Sequence, residues 1–305
     1  EFISESVPLM LLICNPGMRD RHWKEIEAIT GIAIPYHDTL NMNVMLELGL
    51  QQYVKNIEEV CIGASKEYGL QLALDKMEHE WDEMNFNTKE YRTSGTRILA
   101  GIDEIQQLLD DHIVKAQAMK SSRFIKPLIE RITLWENTLL SMQDILDNWL
   151  KVQATWLYLE PIFSSEDIMR QMPTEGKMFR AVDNTWRGSM AQTYDEPGCV
   201  KVARRPGFLD SLIEANKKLE IIQKGLNDYL ETKRIAFPRF FFLSNDELLE
   251  ILAETKDPLR VQPHLKKCFD GIAKLQFQTN LDITACFDPK GELLDFPYDK
   301  IAHKK

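Results

Sequence analysis

The sequence has 305 residues and a mass of 35.4 kDa, which is long for one ordinary globular domain and short for a multi-domain enzyme. Its 47 acidic and 37 basic residues give a formal charge of −10. This charge argues against a protein that binds nucleic acid or an anionic membrane surface, because both require a positive field. The longest apolar stretch, Leu9 to Cys14, is far shorter than the ~20 residues of a membrane span, so no transmembrane helix is predicted.

Hydrophobic residues make up 44% of the chain and charged residues 28%, which predicts a globular protein with a sizeable core. Cysteines are odd in number, far apart and without ligand spacing, which predicts neither a zinc site nor a disulfide framework and favours a reduced, cytosolic compartment. They are Cys14, Cys61, Cys199, Cys268 and Cys286. The chain begins Glu1-Phe2-Ile3 without Met and ends at Lys304-Lys305, so we expect an excised piece of a longer protein.

Helical periodicity dominates the sequence and is clearest from Leu128 to Trp156. Apolar residues there recur in alternating steps of four and three, at Leu128, Ile132, Trp135, Leu139, Met142, Leu146, Trp149 and Trp156. Gln153 alone interrupts this stripe, which predicts one helix roughly 40 Å long. Such a stripe fits either an intramolecular bundle or a dimeric coiled coil, and the mixed polar positions beside it favour the bundle.

Further long helices are predicted at about 51–84, 174–194 and 206–233. Pro206 suits the first turn of the last of these. Shorter helices are predicted where Ser164 precedes Asp167 and where Ser244 precedes Glu247, because both pairs have the spacing of a capping box.

Two β-hairpins are predicted, near 84–101 with a Thr93-Ser94-Gly95 turn and near 281–296 with a turn at Asp288 to Gly291. The segment Arg239–Leu243 is a candidate buried extended segment against the second hairpin. The predicted fold class is therefore mainly α: an elongated multi-helix bundle arm with small β-hairpin elements. Weak internal breakpoints are expected near 160–176 and 194–206.

The sequence contains no recognised nucleotide-binding, metal-binding or catalytic motif. Gly176-Lys177 is followed by Met178 and lacks the earlier glycine of a phosphate-binding P-loop, and no GxGxxG is present. The histidines form no metal-binding pair, and Asp110-Asp111-His112 is interpreted as a solvated helix face. Gly63-Ala64-Ser65 falls within a predicted helix, where a nucleophile elbow cannot form. We therefore expect no catalytic residue, cofactor or metal in this segment.

Several longer runs carry a family resemblance. They are Asn15-Pro16-Gly17-Met18-Arg19-Asp20-Arg21-His22-Trp23, Trp156-Leu157-Tyr158-Leu159-Glu160-Pro161-Ile162-Phe163-Ser164-Ser165, Val182-Asp183-Asn184-Thr185-Trp186-Arg187, Ile222-Gln223-Lys224-Gly225-Leu226, Phe237-Pro238-Arg239-Phe240-Phe241-Phe242-Leu243-Ser244-Asn245-Asp246-Glu247-Leu248-Leu249, Thr255-Lys256-Asp257-Pro258 and Val261-Gln262-Pro263-His264-Leu265. In order and spacing these runs closely resemble the linker region of dynein heavy chains, over about Asn15 to Phe296. The residues in these runs are more similar to those of an axonemal heavy chain than to those of the cytoplasmic one.

The resemblance implies that residues 1–305 are a linker, a mechanical arm that bends and straightens across a ring of AAA+ modules as the ring hydrolyses ATP. The ring would follow this segment in the same heavy chain and would bind the ATP and magnesium. Implied partners are that ring, microtubules through the parent chain and other dynein subunits, with no nucleic acid and no membrane. The implied location is the cytoskeleton, in a ciliary or flagellar axoneme.

Within this interpretation, Pro161 and Gly176 are the candidate hinge residues, because each punctuates a predicted helix. Arg19, Arg21, Arg187 and Arg239 lie in the family-like runs, and each is a candidate either for docking on the ring or for an internal salt bridge. Two other functions stay open from the residues alone. One is a non-catalytic helical scaffold or adaptor, and the other, disfavoured because no ligand pairs recur, is a helical-bundle enzyme.

Overall fold

The computed structural model describes residues 10–36, 41–253 and 258–297. Its α-helices, in chain order, are α1 Asp20–Thr30, α2 Met42–Glu47, α3 Val54–Glu80, α4 Asp103–Lys120, α5 Ile129–Phe163, α6 Glu166–Gln171, α7 Pro173–Asp195, α8 Cys199–Ala203, α9 Phe208–Ala236, α10 Asn245–Ala253 and α11 Leu265–Cys268. Short 3-10 helices lie at Leu50–Tyr53, Lys126–Leu128, Pro238–Phe242 and Pro258–His264. The strands are β1 Asn87–Tyr91, β2 Thr96–Ala100, β3 Lys274–Phe277, β4 Ile283–Phe287 and β5 Leu293–Asp295.

This architecture is mainly α, as predicted, with a two-stranded sheet β1-β2 and a three-stranded sheet β3-β4-β5. In the three described ranges, no helix combines the length and the apolar character that crossing a bilayer would require. The chain divides into two compact units. Unit 1 comprises Glu1–Asn87, Ala100–Asp144 and Glu196–Arg205, and unit 2 comprises Thr88–Leu99, Ile145–Asp195 and Pro206–Lys305.

Unit 1 has a core in which α1 packs on α3. Trp23 and Ile26 of α1 meet Ile57, Val60 and Cys61 of α3 in one buried cluster. Trp81 is the residue directly after α3. Its indole ring is buried against His112 of α4, with ring centroids 6.1 Å apart. This arrangement explains why the periodicity of α3 is visible although glycines interrupt it: one face is buried along the helix.

Unit 2 has an aromatic core. Trp149 of α5 meets the edge of Phe208, with ring centroids 5.0 Å apart, and Trp156 stacks on Trp186 of α7 at 5.4 Å. Helix α9 packs along α7, and its apolar positions Leu219, Ile222 and Leu226 are buried. Close-packed aromatic interiors of this kind resist deformation, because any displacement opens a void or creates a clash.

The predicted stripe of α5 is buried within the chain. Ile132, Trp135, Leu139, Met142, Leu146, Trp149 and Trp156 are each at most 4% exposed. The intramolecular interpretation is therefore confirmed and needs no second chain. The first predicted member, Leu128, lies before α5 at the end of a 3-10 helix and is only half-buried. The helix extends past the predicted Trp156 to Phe163, so Pro161 lies inside its last turn.

Helix starts were predicted with mixed success. At Ser244 and Glu247 the capping box is confirmed: the Ser244 N–H donates to Glu247 Oε2 at 3.0 Å, and the Glu247 N–H donates to Ser244 Oγ at 3.3 Å. The box at Ser164 and Asp167 is wrong, because the Ser164 hydroxyl donates backwards to the Glu160 carbonyl at 2.8 Å.

The predicted place of Pro206 is also wrong. Helix α9 begins at Phe208, after Gly207 with φ +70° at the N-cap. A positive φ suits glycine because it has no Cβ to clash, so the chain turns at Gly207 and Pro206 stays outside the helix.

Both hairpins are confirmed. In the second, Phe287 pairs with Leu293 and Ala285 with Asp295, around the predicted turn. The extended segment predicted at Arg239–Leu243 is wrong: Pro238–Phe242 is a 3-10 helix, and Phe241 and Phe242 are 55% and 68% exposed. Three consecutive phenylalanines cannot all face one core when the backbone turns about 120° at each residue.

Candidate functional site

The candidate hinge lies in unit 2, where α5 ends and the chain reverses through α6 into α7. Pro161 has no N–H, so the hydrogen bond that would reach back to the carbonyl of Leu157 is missing from the last turn of α5. The helix nevertheless closes, because the Glu160 carbonyl accepts from both the Ser164 N–H, at 3.0 Å, and the Ser164 hydroxyl. The last turn is thus held by fewer backbone bonds than the turns before it.

Side chains fix both ends of this reversal. Phe163, the last residue of α5, stacks on Phe179 of α7 with ring centroids 5.2 Å apart. The Ser165 hydroxyl donates to the Ala253 carbonyl of α10 at 2.8 Å, and the Tyr229 hydroxyl of α9 donates to Gln171. The short helix α6 is therefore tied to both α9 and α10.

Gly176 lies in the first turns of α7, buried, with its N–H donating to the Met172 carbonyl at 2.9 Å. A Cβ built on Gly176 would stand 2.6 Å from Met169 Sδ and 3.0 Å from Met169 Cε. The Met169 side chain of α6 thus occupies the space beside Gly176, while the Met169 Cα would be 3.9 Å from the added Cβ, an ordinary contact. This packing role is not visible in the sequence. Neither Pro161 nor Gly176 is shown to move, and the hinge stays a prediction.

Two grooves flank the reversal. The first has a volume of about 380 Å³ and is lined by Leu157, Tyr158, Pro161, Ile162, Asp246, Leu249, Glu250 and Ala253. The second has a volume of about 440 Å³ and is lined by Phe163, Ser164, Glu166, Met169, Arg170, Pro173, Lys177 and Arg180. In the first groove, burial and the nearby Asp246 carboxylate raise the pKa of Tyr158. The exposed part of the last turns of α5 thus borders open volume, while Leu159 and Phe163 of the same turns stay buried.

In unit 1, Arg19 and Arg21 flank the start of α1. Arg19 Nη1 donates to the carbonyls of Pro16 and Met18 at 3.1 and 3.2 Å, while Arg21 pairs with Glu67 of α3. His22 joins them, since its Nδ1 accepts from the Arg19 N–H at 3.1 Å and its Nε2 faces Glu67 at 2.9 Å. These contacts anchor the N-terminus of α1 on α3.

In unit 2, Arg187 and Arg239 lie on separate elements. Arg187 Nε donates to Asp183 at 2.8 Å and its Nη1 to the Ser94 carbonyl at 2.7 Å, which ties α7 to the β1–β2 turn. Arg239 Nη1 donates to the Cys268 carbonyl at 2.8 Å, and its guanidinium lies 4.6 Å from the Phe269 ring centroid. All four arginines therefore have internal contacts, and docking on another module stays a prediction for each.

His112 corrects one interpretation of the sequence. It is fully buried rather than on a solvated face, and its Nδ1 accepts from Trp81 Nε1 at 3.0 Å. Its Nε2 lies 3.0 Å from Glu80 Oε2, and burial lowers its pKa. Asp110 and Asp111, by contrast, are exposed. Across residues 10–36, 41–253 and 258–297, no group of three metal-ligating side chains is brought together.

Comparison with known proteins gives a consistent result. The family model described as "Dynein heavy chain, N-terminal region 2" matches residues 1–304. "Dynein axonemal heavy chain 3" of Homo sapiens is 53% identical over 290 residues, which cover 95% of this chain and 7% of that protein. "Dynein axonemal heavy chain 12" of Rattus norvegicus is 51% identical, over 91% of this chain and 9% of that protein.

"Dynein axonemal heavy chain 1" of Rattus norvegicus is 49% identical, over 94% of this chain and 6% of that protein. The chain thus spans less than a tenth of the length of the curated relatives it matches. Nearly all of this chain is matched, and about half of its residues are identical to those of the axonemal heavy chains. The chain therefore belongs to the dynein heavy chain N-terminal region 2 family.

Proposed function

We propose that this chain is the linker of an axonemal dynein heavy chain, a mechanical arm that bends and straightens across an AAA+ ring. The ring would belong to the same heavy chain, would bind and hydrolyse ATP with magnesium, and would supply the energy for the movement. Microtubules and other dynein subunits are the proposed partners of the parent chain, and the ciliary or flagellar axoneme is its proposed location. The family match over residues 1–304 is the observation that carries this proposal.

Stiffness is the first property that such an arm needs. Helix α5 is 35 residues long and therefore about 50 Å, at a rise of about 1.5 Å per residue. Its tryptophans are buried along this length, with Trp149 and Trp156 at 0% exposure. A long helix held by interlocking aromatic side chains transmits force with little bending, because its interior cannot be compressed.

A place to bend is the second property. The last turn of α5 lacks the hydrogen bond that Pro161 cannot make, and residues of this turn line two open grooves. Hinges are commonly a few residues at the end of an element that absorb the change in φ and ψ. The end of α5 has this character, so we place the proposed hinge at Pro161 rather than at the tightly packed Gly176.

The experiment uses the longer heavy chain that includes the ring. Spin labels near Arg19 and near Lys290 would report the distance distribution without nucleotide and with a trapped ATP-like state. A bending arm is expected to give two nucleotide-dependent distances. One unchanged distance would contradict bending between these points and would support a rigid scaffold instead.

The hinge position is tested in the same experiment with Pro161→Ala. This change restores the N–H that can bond to the Leu157 carbonyl, and it is expected to stiffen the last turn of α5 and to reduce the distance change. Pro238→Ala is the matched control, because Pro238 is an exposed proline of the same unit at the first position of a short 3-10 helix, where its missing N–H breaks no helical bond. A full distance change in the Pro161→Ala chain would remove Pro161 from the hinge without removing the lever.

A further inference from the structure

We propose that a cavity beside the β1–β2 turn binds carboxylate groups of an acidic protein segment. The cavity lies in unit 2, has a volume of about 600 Å³ and is formed by that turn and by the C-terminal turns of α7. Its lining residues are Glu90, Arg92, Thr93, Gly95, Thr96, Arg97, Arg187, Ala191, Tyr194 and Asp195. Three guanidinium groups therefore face this one space, in a chain whose net charge is −10.

Arg92 is the arginine with unused hydrogen-bonding capacity. It is exposed, and its guanidinium lies 5.0 Å from the ring centroid of its neighbour Tyr91. Within the described ranges the Arg92 side chain makes no hydrogen bond and no ion pair. Its backbone φ is +49°, a left-handed conformation that costs a non-glycine residue about 1–2 kcal/mol. Within those ranges the charged group contacts only the ring of Tyr91, so its N–H groups stay open to an external ligand.

Arg97 and Arg187 are held in place by the protein. Arg97 donates to the Thr88 hydroxyl at 2.9 Å and to the Thr88 carbonyl at 3.2 Å, and its guanidinium lies 4.1 Å from the Tyr194 ring centroid. Its Nη1 also pairs with the exposed Glu90 carboxylate at 3.5 Å, a contact that a bound carboxylate would share or replace. Arg187 is fixed by Asp183 and by the Ser94 carbonyl, and its Nη2 takes no part in these two bonds. Pre-positioned guanidiniums bind a planar carboxylate well, because little side-chain entropy is lost on binding.

The surroundings favour a carboxylate over a phosphate. Phosphate sites commonly use a helix N-terminus, where the backbone N–H groups point at the anion. This cavity instead receives the C-terminal end of α7, which carries partial negative charge, together with the carboxylates of Glu90 and Asp195. A doubly charged phosphate is penalised more by these groups than a single carboxylate. In an extended acidic segment, different carboxylates can each pair with a different arginine of the cavity.

The test is a binding titration of fluorescein-labelled octaglutamate with the 305-residue chain, followed by fluorescence anisotropy at low salt. Arg92→Asn removes the charge without strain at φ +49°, because asparagine tolerates this conformation. We expect this variant to bind about tenfold more weakly, the loss of one charge-assisted contact. Arg92→Lys is expected to recover part of the affinity, and Asp195→Asn to increase it, since the latter removes a repelling carboxylate.

Arg123→Asn is the matched control, because Arg123 is also exposed and also lies over the ring of its neighbour, Phe124, at 4.6 Å. The Arg123→Asn variant loses one positive charge, as Arg92→Asn does, but at a site outside the cavity. Its affinity for octaglutamate is therefore expected to equal that of the wild type. Far-UV circular dichroism of every variant confirms that each chain is folded before binding is compared.

Three results would overturn the proposal: no binding of octaglutamate, an equal loss in the Arg123→Asn chain, or competition by inorganic phosphate at concentrations below those of octaglutamate. The last result would reassign the cavity to phosphate. Because the titration measures binding and not movement, its failure leaves the lever proposal untouched, and an unchanged label distance leaves this proposal untouched.

Discussion

The Gln153 side chain of α5 pairs with both backbone groups of Leu99 on β2. Gln153 Oε1 accepts from the Leu99 N–H at 2.7 Å, and Gln153 Nε2 donates to the Leu99 carbonyl at 3.2 Å. An amide side chain thus takes the place that a neighbouring strand would occupy at the free edge of the β1–β2 sheet. Gln262 does the same for β3, with Leu275 as its partner at 2.9 and 2.6 Å.

We expect Gln153→Leu to destabilise the protein, although leucine would complete the apolar stripe of α5. The buried Leu99 backbone would lose both partners, which costs about 1–3 kcal/mol for an unsatisfied buried group. Urea unfolding followed by tryptophan fluorescence measures this loss. Gln143→Leu on the same helix is the control, because its hydrogen bond to Asp110 is exposed and long, at 3.4 Å. Equal free energies of unfolding for wild type and Gln153→Leu would contradict the role of the amide.

Gln153 also shows where sequence reasoning reached its limit. The apolar period located α5 and its buried tryptophans correctly, because burial along a helix leaves a repeat of 3.5 or 3.6 residues. The one polar residue in that stripe was visible as an exception, but its partner lies 54 residues away in the chain. Periodicity contains no information about such a distant pairing.

The same limit applies to the candidate site. Pro161 was recognisable as helix punctuation, whereas the contact between Gly176 and Met169 depends on how two helices meet. From the sequence, Asp110-Asp111-His112 is interpreted as a solvated helix face in preference to a metal site, which is right for the exposure of the two aspartates and wrong for His112. It lies on the buried side of α4, since residues one or two positions apart on a helix face different directions. Local sequence patterns thus predict the helices and strands well, but they do not predict which residues of different elements contact one another.

We expect the stability of the protein to fall as the pH falls below about 6.5, the ordinary histidine pKa, because of His112. Burial lowers the pKa of His112 in the folded chain, so the unfolded chain binds the proton more readily. His112 contributes its full stabilisation at pH values above its pKa in the unfolded chain. Below that pKa, this stabilisation falls by up to about 1.4 kcal/mol per pH unit. Protonation would also place an N–H on Nδ1 opposite the Trp81 N–H, which is already a donor.

The measurement is the free energy of unfolding in urea at pH 7.5 and pH 5.5, for wild type and His112→Gln. The variant is expected to be less stable at pH 7.5 and to lose less on acidification. His79→Gln serves as the control, since His79 is exposed and pairs only with Asp82 at the end of α3. An unchanged pH dependence in His112→Gln would exclude His112 as its source.

Ser244→Ala is expected to cost about 1 kcal/mol, since it removes the side-chain acceptor at the start of α10. Ser164→Ala has the same sequence spacing but removes no cap: it loses the exposed hydroxyl bond to the Glu160 carbonyl and keeps the Ser164 N–H bond to the same carbonyl. This variant is expected to stay within about 0.5 kcal/mol of wild type. Thermal unfolding of the two variants makes the comparison. An equal effect of both substitutions would mean that the cap does not stabilise α10.

Glu247, the other half of that box, should make the same region sensitive to acid. Hydrogen bonds from Lys267 and from the Ser244 N–H lower its pKa to about 2. Because the folded pKa is depressed, the stabilisation is present above the ordinary glutamate pKa and is lost as the pH falls towards 2. Glu247→Gln is expected to flatten the acid side of the stability curve between pH 4.5 and pH 2, and a curve of unchanged slope would contradict this assignment.

Gly176→Ala is expected to gain less than the roughly 1 kcal/mol by which alanine favours helix formation over glycine. The new Cβ would overlap Met169, 2.6 Å from its Sδ, so the flexible methionine side chain must shift. Met169→Ala removes the obstacle, and in that background Gly176→Ala is expected to give the full gain. A double-mutant cycle with urea unfolding is expected to give a coupling of about 0.5–3 kcal/mol between the two residues. Additive effects would show that the residue at 176 and the Met169 side chain do not compete for this space. Gly188→Ala, where no atom lies within 4 Å of the added Cβ, supplies the gain expected from helix propensity alone.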